Sequence, residues 1–313
     1  MKEKKINING LRELLLVGVV LLLCVVWTVM NPQFLSVNNI TNILRQASYT
    51  AIAAVGMTMI IIIGEIDLSA GSLVCAAGLV GAVVCKNTNN VLLAILAAIL
   101  VGALVGLCNG VLCAVVCLPG FIATLASMTI LRGLAYIITG GNSIVWSNDN
   151  FTKIGTGYMG PVPIPVIIMI VAIIFGVMLT TKFRFGRYIY AVGGNMETSR
   201  WSGIPVVKVK ILVYVIMGVL TSIAGLIVTT RLGSGQPSAG LNFEMDCITA
   251  SVVGGTSMSG GRGKVMGTIV GVLLLTVLTN GMTLVGMNTY WQQVLKGVII
   301  VVSVLADTRG KAK

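Results

Sequence analysis

The chain has 313 residues, of which 56% are hydrophobic and 10% charged. Soluble domains average about 25% charged residues, so an ordinary water-facing surface is excluded. The net charge of +12 would suit a nucleic acid, but Lys and Arg lie between apolar runs rather than on one soluble face, and no nucleic-acid partner is expected.

Ten apolar segments are predicted as membrane-spanning helices, because about 20 apolar residues cross the hydrocarbon core and lipid offers the backbone no hydrogen bonds. The tail 1–11 carries Lys2, Lys4 and Lys5 and leads into segment 12–31. That segment ends at Met30-Asn31-Pro32 without a small-residue cleavage site, so it reads as a retained helix. Segments 41–63 and 68–86 follow, separated by Gly64-Glu65-Ile66-Asp67. Segment 91–117 carries Asn109 as its strongly polar residue and Gly102, Gly106 and Gly110 four apart, a spacing that lets helix backbones approach. Segment 120–139 starts after Pro119 and holds Arg132. A loop of Asn, Trp and Tyr residues leads to segment 163–181. Residues 182–208 are basic and glycine-containing, and read as a cytoplasmic loop with a short helix. Segment 209–230 and a polar loop precede segment 244–258, which is short and glycine-rich and reads as a crossing or a broken, re-entrant piece. Segments 264–286, with Gly267 and Gly271, and 289–306, with Lys296, complete the set. The whole is read as one transmembrane domain, 12–307, followed by the tail 308–313.

Positive residues orient these segments. With the N-terminus cytoplasmic and ten crossings, Lys182, Arg184, Arg187, Arg200, Lys208, Lys210, Arg262, Lys264 and the basic tails fall inside. Only Arg45, Lys86, Lys153 and Arg231 fall outside, so both termini are placed in the cytoplasm.

Catalytic machinery is not legible. Gly260-Gly261-Arg262-Gly263-Lys264 is the nearest approach to a P-loop, but Met258 and Val265 stand where Gly and Ser or Thr are needed, so it reads as a basic interfacial turn. The chain has no His and no Cys-x-x-Cys pair, and its seven Cys lie in or beside apolar runs as small reduced side chains. No enzyme, cofactor or metal is expected.

Acidic residues are scarce and therefore informative. Glu65 and Asp67 precede one predicted helix, and Glu244 and Asp246 open another. A carboxylate at the bilayer centre costs about 2.5–3.5 kcal/mol, so such pairs belong at helix ends or beside a wet cavity. With Ser69, Asn109, Thr249 and Ser251 they are the candidate substrate-pathway residues. The competing reading for Asp67 and Ser69 is helix capping, and the two are compatible. The two Glu-x-Asp runs occupy equivalent positions in a five-plus-five inverted repeat, an arrangement common in transporters.

Three blocks resemble a known family. They are Val55-Gly56-Met57-Thr58 with Ile66-Asp67-Leu68-Ser69, then Gly186-Arg187-Tyr188-Ile189-Tyr190-Ala191 with Gly193-Gly194-Asn195 and Ser202-Gly203-Ile204, and Gly254-Gly255-Thr256-Ser257 with Gly260-Gly261. Phe121-Ile122-Ala123-Thr124-Leu125 with Leu131-Arg132-Gly133 also fits. Over residues 12–307 the chain resembles the permease subunits of bacterial ABC importers of the ribose, galactose and xylose type. The resemblance implies an all-α multi-pass permease of the cytoplasmic membrane, moving a monosaccharide. It also implies a second permease copy or paralogue, a cytoplasmic ATPase that consumes the ATP, and an external sugar-binding protein. The ATPase-coupling segment of such permeases maps onto Gly186, Arg187, Gly193, Gly194, Asn195, Ser202 and Gly203. Glu65 departs from the small residue expected before Ile-Asp-Leu-Ser, and Glu197-Thr198-Ser199 lacks the alanines of the coupling-loop start. Related branches carry nucleosides, branched-chain amino acids or a sugar-like signalling molecule. A membrane anchor or receptor subunit without a pathway is the reading outside transport.

Overall fold

The computed structural model describes residues 8–309. Lys2, Lys4, Lys5, Lys311 and Lys313, which contribute to the predicted orientation, lie outside the described residues.

Each predicted apolar segment contains a helix. Helix α1 spans Ile8–Met30, and Pro32 opens a 3-10 turn, Pro32–Leu35, capped by the Asn31 side chain. Ser36 caps α2 (Val37–Ile62) by accepting from Asn39 N–H, and α3 (Ala70–Thr88) stops at left-handed Asn89. Asn90 caps α4 (Val91–Ala114), while α5 (Gly120–Thr139) runs from Pro119 to left-handed Gly140. The following connection is more ordered than a loop: it holds α6 (Asp149–Thr156) and a hairpin of β1 (Tyr158–Met159) with β2 (Val162–Pro163). Then come α7 (Ile164–Thr181), α8 (Arg184–Gly194), α9 (Met196–Trp201) and α10 (Val206–Leu232). The chain closes with α11 (Phe243–Val253), α12 (Val265–Leu284) and α13 (Thr289–Arg309).

Two boundaries differ from expectation. Segment 182–208 is mostly helical, with α8 and α9 divided at Asn195, whose extended backbone and side chain cap α9. The segment predicted at 244–258 is helical only to Val253. An 11-residue helix is about 16 Å long, roughly half of the hydrocarbon thickness. Beyond it Gly255, Gly260 and Gly261 take φ of 96°, 80° and 70°, which a helix cannot use. Residues 63–69 are a second non-helical stretch, entered at Gly64 with φ 82°.

Among the described residues, six helices are long and apolar enough to cross a membrane: α3, α4, α5, α7, α10 and α12. Apolar side chains also cover the outside, with Leu21, Leu100, Ile137, Val171 and Val302 all strongly exposed. The interior is built around α2 and α10. Every residue of α2 from Ala51 to Ile62 is buried, as expected of a helix apolar all round. Tyr214 and Met217 of α10 are fully buried against it. Glycines set the closest approaches. A Cβ on Gly102, Gly106 or Gly110 of α4 would meet Gly218, Tyr214 or Ile211 backbone of α10. Gly267 and Gly271 of α12 stand against Gly254 and the Ala250 carbonyl in the same way. All five glycines thus pack helices within this chain.

Candidate functional site

The polar groups buried in this apolar body gather around the non-helical backbone, because carbonyls and N–H groups freed from a helix need partners. In stretch 63–69, the Glu65 carboxylate receives Lys210 Nζ at 2.5 Å and the backbone N–H of Gly120 at 3.0 Å. Lys210 also donates to the Cys113 carbonyl at 3.3 Å. The Leu68 N–H donates to Thr124 Oγ1 at 3.0 Å. Asp67 Oδ1 accepts from the Ser69 N–H (2.8 Å) and hydroxyl (2.6 Å), an arrangement that fixes the approach to α3. Asn109 donates to Ser69 Oγ at 3.1 Å and accepts from the Ser127 hydroxyl at 2.5 Å. Four predicted residues therefore lie in two adjacent sets: Glu65 ties the stretch to α4, α5 and α10, and Asp67, Ser69 and Asn109 form a chain of hydrogen bonds from the entry of α3 to α4 and α5.

A second network surrounds the start of α11. Arg132, in the middle of α5, donates to the carbonyls of Pro237 (2.7 Å) and Ala239 (2.8 Å) in the connection before α11. The buried Glu244 carboxylate accepts from the Gly71 N–H, so a residue of α11 satisfies the first turn of α3. Asp246 receives Lys296 of α13 at 2.7 Å and 3.0 Å. The two charges that sequence left inside helices, Arg132 and Lys296, thus both have partners. Side-chain exposures of 26% for Lys296 and 31% for Asp246 put this pair on an open face.

Thr249 and Ser251 are placed apart from Glu65, Asp67, Ser69 and Asn109. The Thr249 hydroxyl is turned back to the Met245 carbonyl of its own helix. Ser251 donates to the Cys247 carbonyl and lies 3.3 Å from Thr58, which in turn pairs with Thr268 at 2.7 Å. This is a polar knot between α2, α11 and α12.

The third region is the end that carries α8 and α9. Gly193 packs so closely that a Cβ would strike the Ile62 carbonyl and Gly261 N–H, which bond each other at 2.8 Å. The Tyr190 hydroxyl donates to the Gly263 carbonyl at 2.8 Å, and burial raises its phenol pKa, so it stays protonated. Gly186 is wedged against the carbonyls of Leu179 and Thr180. Asn195 caps α9, the Ser202 hydroxyl bonds the Thr198 carbonyl, and Gly203 turns the chain at φ 79°. A side chain at Gly194 would point into open space although its backbone packs against Gly261, and Arg187 and Trp201 are exposed. The residues predicted for coupling therefore divide into packed glycines, Gly186 against the end of α7 and Gly193 against Ile62 and Gly261, and exposed positions such as Arg187, Gly194 and Asn195.

Sequence reasoning missed Lys210, Thr124, Ser127 and Tyr190. Lys210 could have been suspected from its place at the start of an apolar run, where a charge needs a partner. Thr124 and Tyr190 stand in the family blocks without an assigned role and Ser127 carries no local signal, because what each does depends on which element lies opposite.

Residues 39–304 match the family described as "Branched-chain amino acid transport system / permease component". The chain is 42% identical to the ribose import permease of Bacillus subtilis (strain 168), over 99% of this chain and 98% of that protein. It is 42% identical to the ribose import permease of Escherichia coli (strain K12), over 94% and 92%. Against the xylose transport system permease of Haemophilus influenzae the identity is 33%, over 100% and 99%. No solved structure matches.

Proposed function

The chain belongs to the family of transport-system permease components, and we propose that it is the membrane subunit through which an ATP-driven importer moves a ribose-like monosaccharide. The observation that carries the cargo is the near full-length identity to ribose import permeases, which exceeds that to the xylose permease. The structure supports a transport role because charges are kept at high cost inside an apolar body and gathered at non-helical backbone. A polar cargo needs such hydrogen-bonding groups along its way, and a membrane anchor does not.

In this reading the ten apolar segments provide the crossings, with α11 and residues 254–264 together making the eighth, and both termini are cytoplasmic. The halves related by the two Glu-x-Asp runs form a five-plus-five repeat. The open face bearing Asp246 and Lys296 meets a second permease copy, so that the route runs between subunits. The exposed positions of α8 and α9 dock a cytoplasmic ATPase, which hydrolyses the ATP. The α6 end receives an external sugar-binding protein. The setting is a bacterial cytoplasmic membrane.

The test is uptake of labelled ribose, xylose and leucine by cells expressing the permease with its ATPase and binding protein. Ribose uptake that requires both partners is expected, with at least about a tenfold fall in Asp67→Asn while membrane insertion persists. Leucine uptake without ribose uptake would overturn the cargo assignment.

A further inference from the structure

Among the described charged residues, Glu65 and Lys210 form a pair that joins separate elements and is less exposed than the pair Asp246 and Lys296. Their side chains are only 16% and 9% exposed, against 31% and 26% for Asp246 and Lys296. Both oxygens of Glu65 are engaged, one by Lys210 and the other by the Gly120 N–H that begins α5. Lys210 adds the Cys113 carbonyl near the end of α4. Four elements therefore converge on one ion pair: the stretch before α3, the end of α4, the start of α5 and the first turns of α10. Lys210 also lies about one helical turn beyond Pro205, the N-cap of α10, and only Ser202, Gly203 and Ile204 separate Pro205 from the end of α9. A displacement of α9 would reach Lys210 through this short link and the first turn of α10.

We propose that the Glu65–Lys210 pair is the closure at the α8–α9 end of the translocation route, opened when the ATPase-docking segment pulls α10 away. The inference rests on the permease reading above. The physical reason is that an ion pair in a dry, apolar site is costly to separate, whereas the same pair in water separates easily. The junction therefore has two favourable arrangements, dry and joined or wet and apart. A partly open state, with a charge stripped of both water and partner, is disfavoured. Gly64, at φ 82°, is where the backbone leaves α2 in a conformation that favours glycine, and it is the point about which the Glu65 stretch would swing. Cys113, which is buried and holds Lys210 through its carbonyl, becomes reachable from that side when the pair parts.

The test uses the complete complex with its ATPase in vesicles and two readouts: ATP-independent ribose leak, and Cys113 labelling by a membrane-impermeant maleimide followed by peptide mass mapping. In the wild type, ATP speeds Cys113 labelling. Glu65→Gln and Lys210→Met are each expected to raise leak and ATP-free labelling by about fivefold or more. Lys210→Arg, which keeps the charge and the donors toward Glu65 and the Cys113 carbonyl, is expected to label and leak like the wild type. Wild-type labelling and leak in Glu65→Gln and Lys210→Met would overturn the closure, as would a Lys210→Arg protein as open as Lys210→Met. If the neutral variants do not assemble, the wild-type complex decides: Cys113 labelling that ATP speeds supports the closure, and labelling that ATP leaves unchanged overturns it. Because labelling needs no sugar, a wild-type complex that labels as expected but moves no ribose counts against the cargo and not against the closure.

Discussion

The residues that matter most are those for which the apolar surroundings permit no substitute. In a soluble protein a lone Arg132 could solvate itself, but here its guanidinium is spent on two carbonyls of a non-helical connection. Asp67 is similarly spent on Ser69, the N-cap residue of α3, whose own side chain makes no cap bond; the expected capping of the α3 N–H groups by Asp67 or Ser69 is not seen, and Glu244 serves Gly71 instead. Glycines are constrained by contact instead of charge. At Gly102 a Cβ would run into Ser222 Oγ and the Gly218 carbonyl, and the backbone on both sides is helical and cannot give way. Gly133 on α5 has nothing within 4 Å of the same position. Gly102→Val is therefore expected to destabilise the protein by about 1–3 kcal/mol, as overpacking does. Gly133→Val should leave its melting temperature in detergent nearly unchanged. Equal melting temperatures for the two variants would contradict the close α4–α10 approach.

At the scale of elements, the two non-helical stretches and α8 pack against one another. The turn at Gly260–Gly261 is wedged between Gly64 and Gly193, and Tyr190 holds Gly263 from α8. The neighbouring glycines Gly193 and Gly194 separate the two faces of α8. At Gly193 a side chain collides with backbone of α2 and of the 254–264 stretch, and at Gly194 it meets open space. Gly193→Ala is expected to weaken the folded protein by about 1–3 kcal/mol and to reduce uptake with it. Gly194→Leu should keep full stability and lose uptake through impaired ATPase binding. Thermal melts and co-purification of the ATPase check both, and a Gly194→Leu protein that binds its ATPase and transports normally would remove α8 from the docking face. Sequence located this region through its glycines, basic residues and family pattern. It did not separate packed from exposed positions, because adjacent glycines look alike until something packs against one of them.

For the whole molecule, a body clad in apolar side chains with charges held inside is stable only in lipid, so the surface itself is the argument for membrane residence. The orientation remains a matter of charge bias. A phosphatase reporter active only outside the membrane should be silent when fused to the C-terminus and active when inserted near Asn150 in α6. An active C-terminal fusion would mean an odd number of crossings, with α11 and residues 254–264 returning to the side they left. The brevity of α11 makes this the informative place to look.

The ten apolar segments were legible in the sequence because run length alone favours helix in an apolar chain, whereas α6, the division of α8 from α9 and the early end of α11 were not. The scarcity of acids also pointed directly to Glu65, Asp67, Glu244 and Asp246, since each such charge in an apolar chain demands a reason. Only the tertiary structure decided their partners. Lys210, Arg132, Lys296 and Gly71 are 145, 105, 50 and 173 residues from the groups they satisfy in Glu65, Pro237, Asp246 and Glu244. Contacts at such separations leave no periodicity along the chain. They arise because a buried charge accepts whatever complementary group the packing of helices brings within reach.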